Sequence, residues 1–473
     1  MFMKQVIIIG AGPTGLLSAY ELIKSKKFKV VLLEKSEETG GYGKSLTWNK
    51  DILDIGPHTL HAKGGEIEDL VKKLYENESE QLISGRKKVS VYLNNKFFKY
   101  PLQIKEALLK FNLLTSFIII FEFILTSLFH SIVSIPITNF EEWGKKRFGS
   151  KLYQISFGDY TEKVWKISPE NISSKFASEK IQGFSFINLI RKLLKIGGQV
   201  TEPYYQEWLY TKRGSGDIFR KITKNLSESD LCNIYYNTTN IDIDYTLKKM
   251  IVNEKINLEY DILINTIPLP TFMDMNKSKL PYEVKYHANK LKYNSLLLVY
   301  LKIDLEKITD YTWFYLLEKK FKVNRITEQK NLTHHTISSS NETILTLEYT
   351  YNDKSLYKDM SDKEIYELAI NDIKNINKLS DIVDHIVDYR VEKFDFAYEI
   401  YDIDFDKHAE YVITFIRNEM NSVYTVGRRG MFLQGDMYSS MQCGLEISKL
   451  INLEENMNKD KINNFYSKYL RYL

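Results

Sequence analysis

Cysteine is nearly absent: Cys232 and Cys443 are the only two in 473 residues, far apart and outside any CxxC or Cys/His cluster. That argues against a disulfide scaffold and against a structural zinc site, and no metal ligand set is expected elsewhere. Proline is scarce as well, at 9 residues, and hydrophobic residues reach 44%, a composition far from disordered or fibrous chains. Nor does one sign of charge dominate. Lys and Arg number 65 against 61 Asp and Glu, interspersed along the chain for a net +4, so no basic stripe is offered to nucleic acid. A leader with a basic n-region, an apolar h-region and a cleavage site is also missing from the first residues, and the expected location is the cytoplasm. The length suits a large globular protein of two or three domains.

Long hydrophobic runs are limited to one. Residues 113 to 135 (LLTSFIIIFEFILTSLFHSIVSI) are almost wholly apolar but contain Glu122, His130 and several hydroxyls before Pro136. Three placements compete: a helix packed in a substrate-side domain, a peripheral contact with one membrane face, and a membrane span. The sequence favours the first.

What is present begins at the N-terminus. Val6 to Ile9 reads as a buried strand, Gly10-Ala11-Gly12-Pro13-Thr14-Gly15 as a glycine turn, Leu16 to Ile23 as a helix, and Val30 to Leu33 as a second strand ending at Glu34. This is a βαβ dinucleotide-binding unit. Gly10 permits the tight turn, Gly12 lets backbone N–H groups approach a pyrophosphate, and Gly15 allows close helix-to-strand packing. Glu34 lies 19 residues beyond Gly15, where an acid accepts hydrogen bonds from ribose hydroxyls.

Farther along, Phe97 to Leu209 is aromatic-rich and helix-patterned, and β-type runs return at 234 to 268, 293 to 303, 311 to 317 and 343 to 351. A last glycine turn, Gly427-Arg428-Arg429-Gly430, precedes a helix-like stretch from Tyr438 to Ile451. The expected class is α/β. A discontinuous nucleotide-binding domain would be assembled from 1–95, 212–285 and 405–473, around an inserted α+β substrate domain with a helical part at 96–211 and a sheet part at 286–404.

The acid is followed by Lys35 and then by Gly40-Gly41, a second glycine cluster that suggests another close approach of backbone to a ligand. In this the chain resembles the flavin amine oxidase superfamily, in which a glycine pair after the acid lies beside FAD. Asp54-Ile55-Gly56-Pro57-His58-Thr59-Leu60-His61, Phe98-Lys99-Tyr100-Pro101-Leu102, Phe140-Glu141-Glu142-Trp143 and Tyr160-Thr161-Glu162-Lys163-Val164-Trp165 resemble one bacterial branch of it. That branch is similar to protoporphyrinogen oxidase and UDP-galactopyranose mutase and is often met in surface-polysaccharide contexts.

The resemblance implies a glutathione-reductase-like Rossmann-type FAD domain. FAD would be held by Gly10, Gly12, Pro13, Thr14, Gly15, Glu34, Lys35, Gly40, Gly41, Lys44, Ser45, Gly56 and Pro57, and by Arg428, Asp436 and Met437 of the C-terminal turn. Lys44 stands near the place of the superfamily's usual Arg, without that residue's planar fork. His58 would sit beside the flavin as in the mutases' GPH segment. Arg325, in Arg325-Ile326-Thr327-Glu328-Gln329-Lys330, resembles the start of their RxxExK string and would meet a substrate diphosphate. The mutases' Tyr-Arg-Tyr before the acid is replaced here by Phe432-Leu433-Gln434.

A small-molecule substrate, a nucleotide-linked sugar, and mutase-type chemistry at flavin N5 are what this implies. A protoporphyrinogen-oxidase-like or amine-oxidase-like dehydrogenation of a large apolar substrate is the alternative. The GDP dissociation inhibitors of small GTPases share this fold type as non-catalytic binding modules, but their glycine loop departs from the fingerprint that is complete here.

Overall fold

The computed structural model describes residues 3–62, 64–132, 136–180, 207–276, 279–453 and 459–470. The helix-patterned stretch over 181–206 and the end of the apolar run at 133–135 lie outside the described residues. The chain divides into two compact units. One comprises Met1–Ser84, Trp208–Lys292 and Phe405–Leu473, the other Gly85–Glu207 and Tyr293–Asp404.

The first unit is built on a five-stranded parallel sheet. Its centre is β1 (Lys4–Ile9), followed by α1 (Pro13–Lys24) and β2 (Phe28–Leu33). β3 (Cys232–Tyr235), β4 (Ile262–Asn265) and β5 (Val423–Thr425) complete the order β3-β2-β1-β4-β5. In register, Ile8 lies opposite Leu32 on one side and Ile264 on the other. Val6, Ile7 and Ile8 are fully buried, which a strand covered on both faces requires and which explains its unbroken apolar run. The helix Met437–Leu453 packs along α1, where the Thr14 hydroxyl donates to the Ser440 carbonyl at 2.9 Å and the Ser18 hydroxyl to that of Gly444 at 3.2 Å. Short side chains at this seam let the two helix backbones approach closely, because a Cβ on Gly444 would collide with the Thr14 carbonyl.

The second unit centres on a seven-stranded mixed sheet. Its order is Ile386–Glu399, Tyr293–Ile303, Thr343–Tyr351, Arg325–Glu328, Trp313–Leu316, Val89–Leu93 and Lys96–Lys99. Thr343–Tyr351 is buried along its whole length. Against the sheet, Ile365, Ala369 and Ile373 of the helix Asp362–Lys374 join Leu297, Val299, Phe314, Ile326 and Leu347 in one core. That helix starts with a capping box in which Ser361 and Glu364 satisfy each other's backbone N–H groups.

In the same unit the apolar run forms α2 (Leu113–Ile132), and the placement favoured from sequence is corrected: α2 is not packed away. Leu113, Leu114, Phe117, Phe121, Ile124, Leu125, Leu128 and Phe129 are each at least half exposed. The side of α2 that turns inward carries Ser116 and Ile119, toward α3 (Phe140–Phe148) and α4 (Ser150–Tyr153). Composition made α2 look like a core helix, whereas its most apolar face has no protein cover among the described residues.

Candidate functional site

In the first unit the C-terminal ends of four parallel strands deliver the glycine clusters to one edge of the sheet, where open α/β sheets bind ligands. β1 runs into Gly10, β2 into Glu34, β4 into Thr266 and β5 into Gly427. Gly10 adopts φ +97°, and a Cβ there would press on the side chains of Thr266 and Ile267. The Gly10 N–H donates to the Leu33 carbonyl at 2.8 Å, and the Gly40 N–H to that of Ala11 at 2.7 Å, so the two glycine loops are tied together.

Gly12 is the N-cap of α1 in extended conformation, Pro13 occupies the first helical position, and no side chain caps this end. The N–H groups of the first turn therefore face outward with the positive end of the helix dipole. An added Cβ on Gly12 would find only the Gly41 Cα, 4.0 Å away, whereas one on Gly15 would strike the Gly10 carbonyl. The two glycines thus serve different ends: Gly15 closes helix on strand, and Gly12 keeps a space open.

Glu34 is buried at the end of β2. One carboxylate oxygen accepts the Ala11 N–H at 2.9 Å; the other accepts the Ser36 N–H at 3.0 Å and the Ser36 hydroxyl at 2.9 Å. It is held rigidly and keeps lone pairs for further donors. An uncapped helix start, glycines placed where backbone is approached, and a fixed acid one strand over are a donor and acceptor set that fits an adenine dinucleotide such as FAD.

The other residues expected at the site are placed as follows. Lys35 is exposed and Lys44 half-buried. Ser45 is drawn inward, its hydroxyl 2.6 Å from Asp54, and the Gly216 N–H donates to it at 2.8 Å. Gly56, at φ +77°, turns the chain into Pro57 and His58, whose N–H donates to the Gly56 carbonyl at 2.9 Å. Arg428 lies half-buried in the short turn Gly427–Gly430, where a Cβ on Gly427 would collide with Thr14. Asp436 accepts the Ser439 N–H at 2.7 Å and so starts the helix at Met437, which is buried. Of these segments, far apart in sequence, the loop of Gly40-Gly41 and the turn at Gly427 are the ones tied to the Gly10–Gly15 loop, through Ala11, Gly12 and Thr14.

Several residues here escaped sequence reasoning. Asp54, buried at the end of the strand Asp51–Asp54, accepts from Ser45, from the Tyr210 hydroxyl and from the Ser215 N–H at 3.1 Å. It clamps the loop after Gly40-Gly41 to the segment 210–216 and stands two residues before Gly56-Pro57-His58. His61 reaches Asp436 at 3.6 Å, and the Arg429 guanidinium lies 5.3 Å from the Tyr42 ring centre. Strings containing Asp54 and His61 stood out in the sequence, but nothing there pointed to partners more than 150 residues away.

The second unit holds a separate cluster. Arg325 does not present a free fork to a diphosphate: its Nε and Nη2 donate to Glu348 at 2.6 and 2.7 Å across adjacent strands. A diphosphate would have to compete with that bidentate pair. Glu328 and Lys330 of the same string are structural. Glu328 accepts the N–H groups of Ile308 and Thr309 at 2.9 and 2.7 Å, and the Lys330 ammonium donates to the carbonyls of Glu306, Ser340 and Glu342. Around Arg325 stand Tyr315, with its ring centre 5.8 Å from the guanidinium, and Tyr160, 6.0 Å from Tyr315 and with a hydroxyl pKa raised by burial.

Lys163, from the same string as Tyr160, is buried and donates to the carbonyls of Leu316 and Val323 at 2.5 and 2.9 Å, holding the hairpin that leads into Arg325. Asp372 accepts the N–H groups of Lys322 and Val323 on that hairpin. Burial lowers the Lys163 ammonium to about 7, and the Asp372 carboxylate opposes the shift. Since its folded value lies below the unfolded 10.5, the unfolded chain binds more protons between these limits, and Lys163 favours folding increasingly as pH rises through them. Chemical denaturation of the wild type and Lys163→Met should show a stability difference that grows in the wild type's favour by about 1.4 kcal/mol per pH unit between neutral pH and pH ~9. Parallel pH profiles would contradict this.

Residues 8–74 match the NAD(P)-binding Rossmann-like domain family. Among curated proteins, protoporphyrinogen oxidase 2 of Arabidopsis thaliana is 25% identical over 64% of this chain and 65% of its own length. The chain thus spans less than two thirds of the curated relatives it matches. A crystal structure of reduced UDP-galactopyranose mutase superposes with a TM-score of 0.82 at 20% identity, covering 98% of each chain. One assigned as a protoporphyrinogen oxidase from Exiguobacterium sp. 255-15 gives 0.74 at 15% identity, covering 96% of this chain and 100% of the other. In fold the chain is thus similar to flavoenzymes such as UDP-galactopyranose mutase, with a nucleotide-binding segment that matches the NAD(P)-binding Rossmann-like domain family.

Proposed function

We propose that the chain is a FAD-dependent enzyme of the oxidoreductase and mutase type, acting in the cytoplasm on a nucleotide-linked sugar during surface polysaccharide synthesis. The observation that carries this reading is the full-length correspondence of its fold with UDP-galactopyranose mutase, over 98% of both chains. FAD supplies a ring nitrogen, N5, that can accept a hydride or, when reduced, act as a nucleophile. The chain's own part is to bind and orient. The first turn of α1 faces the pyrophosphate, Glu34 accepts from the ribose, and the glycine loops at Gly40-Gly41 and Gly427 allow backbone to approach the cofactor. Arg428 adds positive charge, and His58 follows the Gly56 turn as a proton-handling group. In the second unit, Tyr160 and Tyr315 cluster with Arg325, which Glu348 holds, and these are the groups of that unit that a sugar nucleotide would meet.

The test is anaerobic product chromatography with a panel of UDP- and dTDP-hexoses, before and after dithionite reduction. Isomerised sugar that appears only with reduced protein is the expected result. Its absence in both states would move the assignment to a second reading, protoporphyrinogen-oxidase-like dehydrogenation of a large apolar substrate. The plant relative and the outward apolar face of α2 favour that reading.

A further inference from the structure

We infer that α2 docks the second unit onto the surface of an anionic phospholipid bilayer, lying along it without crossing. The helix is amphipathic in the inverse sense. Projected at 100° per residue, Leu113, Leu114, Phe117, Ile120, Phe121, Ile124, Leu125, Leu128 and Phe129 cover about half of its circumference, and all are exposed. The opposite arc carries Ser116, Ile119, Thr126 and His130, and the Ser116 hydroxyl donates to the Leu108 carbonyl at 2.8 Å.

Glu122, the one charged side chain of the helix besides His130 when protonated, is spoken for. Its carboxylate accepts the Lys151 N–H at 2.6 Å at the start of α4. The outward face is thus free of charge over its full length of about 30 Å, nine large apolar side chains in one continuous strip. The inward face packs on α3 and α4, whose charged residues would have to enter the bilayer core with α2 if it crossed, so the helix is placed along the surface.

Charge points to the occupant. Between residues 96 and 151 there are eight Lys and Arg against four Asp and Glu, an excess equal to that of the entire chain. They flank the helix: Lys96, Lys99, Lys105 and Lys110 precede it, and Lys145, Lys146, Arg147 and Lys151 follow. Beside its first turn opens a recess of about 540 Å³ whose lining includes Thr115, Lys96, Lys110 and Lys151 together with Asp159 and Glu318. The basic excess of the segments that adjoin α2 is complementary to anionic headgroups, as the apolar strip is to acyl chains, although Lys110 and Lys145 also pair with Glu106 and Glu141. A protein partner would instead be met by a polar rim around the apolar patch.

The test is flotation of the full chain with vesicles of phosphatidylcholine alone or mixed with phosphatidylglycerol, for the wild type and for Phe117→Glu/Phe121→Glu/Leu128→Glu. The three side chains point outward, so the variant should keep the wild-type Tm. The wild type is expected to float with the anionic vesicles, less so at high salt, and the variant's partitioning to fall by about a hundred-fold or more. Failure of the wild type to float with either vesicle, or equal flotation of the variant, would overturn the inference. So would a wild-type dimer in vesicle-free buffer that the variant dissolves, since the strip would then be an interface between two copies of this chain.

Discussion

Gly12→Ala should fold normally and lose its flavin, with affinity for FAD falling by about a hundred-fold, while Gly15→Ala should fail as a fold. The difference follows from what each new methyl meets. At Gly12 the protein leaves room, with the Gly41 Cα 4.0 Å from the added Cβ and a backbone conformation open to any residue. The methyl would stand where the pyrophosphate must approach the uncapped N–H groups of α1, so the loss falls on the ligand. At Gly15 the methyl collides with the Gly10 carbonyl, and α1 would have to leave β1 and with it the buried core of Val6 to Ile9. Flavin absorbance and thermal melting of both variants check this. Full flavin in folded Gly12→Ala would contradict the placement of the pyrophosphate, and an unchanged Tm in Gly15→Ala would contradict the close packing.

Asp54→Ala should destabilise the first unit by about 4 kcal/mol, because it strands the Tyr210 and Ser45 hydroxyls and the Ser215 N–H without their acceptor in a buried place. Asp54→Asn keeps the shape but turns an amide donor toward donors, so an intermediate loss is expected. Burial raises the pKa of Asp54 from the usual 3.8, against the pull of its hydrogen bonds. The sign is then fixed: the folded state binds the proton more readily, so Asp54's contribution to stability is highest below pH ~3.8 and declines as pH climbs through the folded value. That decline should vanish in Asp54→Ala. The same variant should also weaken flavin retention, since the clamp holds the loops that carry Gly41, Lys44 and His58. Denaturation midpoints within experimental error of wild type would show that the network is dispensable.

The βαβ unit could be read from sequence because its causes are local: apolar runs of strand length, glycines at fixed spacing and an acid at the second strand's end. β4 could be read for the same reason, as a short buried run before Thr266, whereas its pairing with β1 is seen only in the folded chain. The neighbours of Arg325 could not be read. Its spacing to Glu328 and Lys330 suggested a binding string, but its partner Glu348 is set by the pairing of two strands, which no local pattern reports. Asp54 was hidden likewise, since Tyr210 and Ser215 reach it only through the folded chain. For α2 the signal was strong but ambiguous: hydrophobicity gives the tendency to leave water and not the medium that receives the side chains.

The C-terminal edge of the parallel sheet in the first unit carries the donor and acceptor set of a FAD site. The most direct measurement is the visible spectrum of the purified chain, followed by chromatography of the cofactor released on denaturation. A flavin spectrum and release of FAD in stoichiometric amount, or its uptake when FAD is added, is the expected result. A folded chain that carries no flavin and takes up none from added FAD would contradict it.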